Sequence, residues 1–318
     1  MKVIVAAAAA TIALASVANA ADLVVYSAGP KPLSGGLAKG FTKMTGIKVK
    51  LFQSNSGKVM ARYQAEKSNP QVDVIISASW GHAITLNKSG DLLAYTSPNA
   101  AKIPASLKTK TYAAQGAAAL AIAYNTKSGL PKPKQWSDLT KPVYKDQISM
   151  PDPAKAGSAL TLVQGLASAQ GDKAWKLFEA LAKNGMIVPG DNRAALRPVL
   201  QGARGVVFGA VDYIALGLKK KGETLEVIHP TQGTVLAPRP IMIAKSSKNQ
   251  AAAKKFVDYV LSKEGQTLVA KRLILPARTD VKALRPGWKE LKIINYDYVK
   301  AAGEAEVTKA KFAQSVGK

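Results

Sequence analysis

Three short apolar runs near the start of this 318-residue chain each stop at small polar residues that open a helical stretch, an order few folds accept three times in succession. Residues 23–26 run into Ser27, Ala28 and Gly29 before helical spacing at 33–44. Residues 47–52 alternate apolar and basic, stop at Gln53-Ser54-Asn55-Ser56-Gly57-Lys58, and give way to helical spacing at 59–66. Residues 72–76 are apolar almost throughout, as a strand covered on both faces of a parallel sheet must be, and stop at Ser77-Ala78-Ser79. The pattern predicts an open α/β sheet. In such a sheet ligands meet the carboxyl ends of the strands, where these loops lie.

The same grammar continues downstream. An apolar strand at 117–124 leads to Asn125, and Pro131 and Pro133 break the chain after it. Residues 148–150 enter Pro151-Asp152-Pro153, after which Gly157, Ser158 and Ala159 open a helix to about residue 168. An amphipathic helix at 172–183 carries Trp175, Phe178 and Leu181 on one side, and strands follow at 205–208 and 225–228. A strand at 239–244 and helices at 251–261 and 264–273 read as a return to the first unit. The organisation expected is a leader at 1–20, a first lobe at 21–125, a second at 126–235 and a return at 236–318.

The leader is read from Lys2, the apolar stretch 3–17 and the small-residue exit Ala18-Asn19-Ala20, the pattern of a cleaved secretory signal. Fourteen or so apolar residues are too few to span a bilayer, which needs about 20. The mature chain is expected in the periplasm. About 298 residues remain, enough for two lobes. With no cysteine the chain has neither disulfides nor thiolate chemistry, and two histidines, His82 and His229, are too few for an ordinary zinc site. Forty-five Lys and Arg against twenty Asp and Glu give a formal charge of +25, a field that draws anions. The basic residues are dispersed and not interleaved with aromatics, so nucleic acid is not an expected partner.

The blocks LVVYSAGP (23–30), VDVIISAS (72–79), AIAYN (121–125), WSDLTKPVYKDQISMPDP (136–153), GSA (157–159), GAVDYIALG (209–217) and APRPIMIAKSSKNQAAAKKFVDYVLSKEGQ (237–266) resemble the extracellular solute-binding proteins of ABC importers. The resemblance is to the ferric-iron, phosphonate and sugar-phosphate branch and covers nearly the whole mature chain. It implies an α/β, two-lobe type 2 periplasmic-binding-protein fold with a two-strand hinge. It also implies a monomer that closes on its ligand and docks on an inner-membrane permease, with no cofactor.

Two ligand classes follow from the resemblance. Ferric-iron binders of this branch use paired tyrosines where this chain reads Asp212-Tyr213, so a single phenolate is present here. The organophosphate class instead needs N–H and O–H donors, which helix N-termini supply together with a positive dipole end. Candidate donors are Ser27, Ala28, Gly29, Asn55, Ser56, Gly57, Ser77, Ser79, Ser158 and Ala159; Ser and Asn there are equally ordinary helix caps. Asp212, with Tyr213 beside it, is expected to accept from sugar hydroxyls or to pair with an ammonium, and Gln232 to add a polar contact. The resemblance departs at Val211 and Gln232, where hexose-phosphate binders of the group carry a histidine and an acid. The expected ligand is therefore a sugar phosphate or a 2-aminoethylphosphonate-type compound, with ferric iron as the alternative. An enzyme acting on phosphorylated substrates is the reading of another class; the chain has no GxSxG, P-loop or metal-ligand spacing to support it.

Overall fold

The computed structural model describes residues 22–317, so the leader expected at 1–20 lies outside the described residues. The chain opens with β1 (Leu23–Ser27), α1 (Lys31–Thr45), β2 (Val49–Gln53), α2 (Ser56–Ala65), β3 (Val74–Ile76) and α3 (Trp80–Lys88), and β4 (Tyr112–Asn125) leads out of this unit. Next come β5 (Ile148–Pro151), α4 (Gly157–Gln170), α5 (Asp172–Lys183), β6 (Ile187–Gly190), α6 (Asn192–Leu200), β7 (Val206–Val211), α7 (Asp212–Lys219) and β8 (Leu225–Ile228). The chain returns through β9 (Leu236–Ile243), α8 (Gln250–Leu261), α9 (Lys263–Lys271) and β10 (Leu275–Pro276), and ends in α10 (Tyr298–Gly303) and α11 (Ala305–Ser315).

The strands run in the order β2-β1-β3-β9-β4-β7-β5-β6, with β8 and β10 pairing on β4. β1 is parallel to β2 and β3, and β5 is parallel to β6 and β7, so each half is a βα sheet whose helices leave at the carboxyl edge. The two halves meet on β4, whose Tyr112–Ala119 stretch pairs with β9 while Leu120–Asn125 pairs with β7 and β8. The partner change falls at Ala119–Leu120, inside one strand, and not at residue 125 where the sequence reading ends the first lobe. A strand shared by two sheets has no break at the crossing for a sequence to display.

All fourteen residues of β4 are buried. Alanine is a weak strand former, yet AAQGAAALAIA is held extended because both faces are covered and the strand is paired along its length. Ala117 and Ala119 pack with Leu236, Leu275 and Leu291 on one side, while Ala118 joins the core of the second half. At Gly116 a Cβ would stand 2.7 Å from the Leu275 carbonyl oxygen.

Two large apolar cores flank this crossing. The first gathers Leu33, Phe41, Ile75 and Phe256; the second gathers Trp136, Leu162, Phe178, Phe208 and Phe312. Phe312 belongs to α11, which packs on α4 and α5, its ring 5.3 Å from Phe178 at an edge-to-face angle of 77°. The end of the chain is therefore not confined to the first lobe, as the 236–318 assignment expects. α10 packs on α3 of the first half, and α11 crosses to the second because its buried ring completes the core there.

Truncating Phe312 to Ala is expected to cost about 3–5 kcal/mol, the range for a buried Phe. Urea unfolding of F312A should show a lowered midpoint; an unchanged one would mean that α11 adds no stability to the second lobe.

Candidate functional site

The ladder carries on past the strand ends, with Ala28 N donating to Ile76 O (2.8 Å) and Ser54 N donating to Ser27 O (3.2 Å), so three loops leave the sheet side by side. Within them, hydroxyls tie the loops together. Ser27 Oγ shares a hydrogen bond with Ser34 Oγ (2.9 Å) and accepts from Gly29 N (3.0 Å). Ser56 Oγ accepts from Ala78 N (3.3 Å), linking the second loop to the third. Ser77 Oγ accepts from Ser79 N (3.1 Å) and lies 2.9 Å from His82 Nδ1. Asn55 is exposed and caps α2 by accepting from Lys58 N (2.9 Å), and Gly57 is exposed in the first turn of that helix.

Four helices begin around this edge without a capping side chain. α1 follows Pro30, α3 follows Ser79, α4 follows Ala156 and α7 follows Val211, and at none of them does the N-cap side chain accept a hydrogen bond. The first N–H groups of α3 and α4 are orphan donors of a helix start, at the positive end of the dipole, whereas in α1 Pro32 has no N–H and Leu33 N donates to Pro30 O, and in α7 Tyr213 N donates to Asp212 Oδ1. α3 and α4 come from opposite lobes and meet head on. A Cβ added at Gly157 would lie 2.8 Å from Ser79 Cβ, so glycine is what lets the two helix starts touch. Behind it Ser158 and Asn192 are joined at 3.0 to 3.2 Å, and Ala159 is fully buried.

α7 is aimed by a bulge. Gly209 has φ +76°, and the β4–β7 register shifts between Ala121 and Ala123, which turns Val211 and Asp212 at the strand end. Tyr213 packs against both cores, and its hydroxyl lies 3.5 Å from Arg239 Nη1.

Arg239 is a candidate site residue that sequence reasoning missed. It lies on β9, only 3% exposed, with Nη2 donating to Ala28 O (2.8 Å) and the guanidinium 5.8 Å from the Tyr213 ring centre. Its Nε has no hydrogen-bond partner, and among the described residues no carboxylate forms an ion pair with it. Burying a cation without a counter-charge is costly, and an anion between the lobes would relieve it. The one available signal was a charged residue inside an otherwise apolar strand, LAPRPIMI.

Asp212 is fully buried and already engaged. Its Oδ1 accepts from Tyr213 N (2.7 Å), and its Oδ2 accepts from Ala119 N (3.1 Å) and contacts Arg285 Nη1. His229 Nε2 lies 3.2 Å from the same oxygen. Neither Arg285 nor His229 was expected here, since Arg285 sits in a stretch without periodicity. Gln232 is exposed on a turn whose neighbours are Lys134, Trp136 and Lys292, and no hydrogen bond joins it to the serine loops. A cavity of ≈ 270 Å³ opens at the other edge of the first sheet, lined by Tyr63, Lys67, Asp91 and Lys245, away from these loops. Among the described residues no group of three His, Cys, Asp or Glu is placed to hold a metal ion.

Comparison with known proteins gives one consistent neighbourhood. The profile of the bacterial extracellular solute-binding proteins matches residues 69–302. The fold superposes with a TM-score of 0.84 on the periplasmic binding protein AfuA from Actinobacillus pleuropneumoniae with fructose-6-phosphate bound, at 30% identity over 93% of this chain and 98% of that one. It superposes at 0.80 on the ferric binding protein from Campylobacter jejuni, at 27% identity over 92% and 99%. A Salmonella typhimurium protein provisionally named as a 2-aminoethylphosphonate-binding periplasmic protein is 26% identical over 76% of this chain and 73% of its own.

Gly157→Ala is expected to hold the lobes apart at the α3–α4 contact without unfolding either. Small-angle scattering should show a larger radius of gyration than wild type under the conditions that close it; equal radii would mean the contact is not a limit on closure. Burial, reinforced by the Lys309 charge, pushes His82 down to about 4 from its usual 6.5. Between those values the unfolded chain binds a proton that the folded chain refuses, so stability falls as pH drops from 6.5 to 4. The melting temperature of H82Q should be flatter than wild type across that window, and parallel curves would contradict the assignment.

Proposed function

The chain belongs to the bacterial extracellular solute-binding protein family, and from that premise we propose that it is the receptor subunit of an ABC importer, capturing a small organophosphate by lobe closure and delivering it to the permease. The observation that carries the ligand class is the buried, unpaired guanidinium of Arg239 between Ala28 of one lobe and Tyr213 of the other. A phosphate or phosphonate has the charge and planar oxygen pairs a guanidinium recognises. The uncapped starts of α3 and α4 add backbone donors at the same edge. Because Ala28 and Tyr213 come from different lobes, an anion held there favours the closed state by touching both.

The likeness to a fructose-6-phosphate-bound protein and to a relative named for 2-aminoethylphosphonate supports this reading over ferric iron. A trivalent cation beside Tyr213 would also sit against Arg239. Binding proceeds without chemistry in this proposal: Ser77 is wholly buried and turned into its own loop, so the Ser77–His82 pair presents no nucleophile. The periplasm is the compartment this function implies.

Calorimetric titration of the mature protein with fructose 6-phosphate, 2-aminoethylphosphonate, inorganic phosphate and ferric citrate tests the proposal. At least one organophosphate should bind. Arg239→Ala should weaken it by about thirtyfold or more, since a hydrogen bond to a charged group is worth roughly 2 kcal/mol. Binding of ferric citrate alone would overturn the organophosphate reading.

A further inference from the structure

The two arginines beside the cleft are used differently. All three nitrogens of the Arg285 guanidinium face protein atoms: Nε donates to Pro286 O (3.2 Å), Nη1 lies against Asp212 Oδ2, and Nη2 is 3.3 Å from His229 Nε2. Its side chain is 1% exposed. Nη1 and Asp212 Oδ2 form a buried ion pair. His229 Nε2 can donate to the carboxylate or accept from the guanidinium, but not both at once. In either tautomer Asp212 is neutralised by Arg285.

Arg285 cannot easily leave. Its segment is fixed by Trp288 Nε1 donating to Pro276 O (3.1 Å) and by Leu291, buried against Ala117, Ala119 and Leu236. Arg239, by contrast, keeps a nitrogen free and has no carboxylate. The charge offered by this part of the cleft is thus one uncompensated guanidinium, with the acid next to Tyr213 cancelled.

We infer that Arg285 sets ligand selectivity: by neutralising Asp212 it removes the counter-charge an ammonium would need, so the site selects phosphates and phosphonates whose remaining part is uncharged. This rests on the organophosphate reading above and narrows it, preferring hydroxylated phosphates to aminoalkylphosphonates. A neutral Asp212–Arg285 pair still offers polar atoms to hydroxyl groups. An ammonium placed there meets two guanidinium groups and one carboxylate.

The test compares 2-aminoethylphosphonate with ethylphosphonate, which differs by the amine alone, and adds fructose 6-phosphate, all by calorimetry at pH 7. Wild type is expected to bind ethylphosphonate about tenfold or more tightly than its amino analogue. In Arg285→Gln the ratio of the two affinities should move at least about tenfold toward the amine, as Asp212 loses its guanidinium counter-charge and keeps only the His229 contact and its backbone donors. Because the ratio is taken within one protein, a general loss of stability cancels. A wild-type preference for 2-aminoethylphosphonate would overturn the inference while leaving the organophosphate reading intact. An unchanged ratio in Arg285→Gln would overturn it also. If Arg285→Gln does not fold, Arg285→Lys keeps the positive charge and should keep the wild-type ratio, and a shift toward the amine in it would count against the charge argument. If folded wild type binds none of the phosphorus compounds, it is the organophosphate reading itself that fails.

Discussion

β4 is the constraint on which the rest of the molecule hangs. One strand, buried along its whole length, supplies hydrogen-bonding partners to the first sheet through β9 and to the second through β7 and β8. Larger side chains at Ala117 and Ala119 would force apart the Leu236, Leu275 and Leu291 layer on one face, so the run is nearly all alanine and glycine at its centre. Once this strand is shared, both sheets turn their carboxyl edges toward the same space. The serine loops, the α4 start and the α7 start then converge as a consequence of topology, and β9 returns beside β4 to place Arg239 among them.

Charge is divided in the same economical way. The surface is strongly basic, with a formal +25 that steers anions over distances set by the screening length. That field has little to do with recognition. In the organophosphate reading proposed above, recognition rests on one guanidinium without a carboxylate, and on a second whose partner is an aspartate that would otherwise attract cations. The surface lysines and the buried arginines thus act at different ranges.

How much of this was legible in the sequence depends on whether a signal is local. β1, α4, α5 and β8 were readable because periodicity and turn residues are properties of neighbours in the chain. Loops ending the strands were readable for the same reason, and the structure brings Ser27, Ala28, Gly29, Ser56, Ser77, Ser79 and Ser158 to one edge. Roles were harder. Ser27 and Ser77 bind their own loops, Ser56 ties the second loop to the third and Asn55 caps α2, which the residue types allow equally well. Arg239, His229 and Arg285 escaped because their meaning comes from partners far away in sequence. Arg285 in particular reaches Asp212 from a segment with no regular element to announce it. α11 escaped because nothing in AEVTKAKFAQS says which core Phe312 will enter; that is decided by the space left beside Phe178.

The position of Phe312 has a bearing on how the chain is made. The second core is complete only when residues from the extreme carboxyl end are laid on α4 and α5, which lie mid-chain. A growing polypeptide therefore carries α4 and α5 well before the ring that packs on them has been made. Such a chain stays loosely organised until synthesis ends. Under the periplasmic reading proposed above, a contact that forms this late keeps the chain threadable across a membrane for longer.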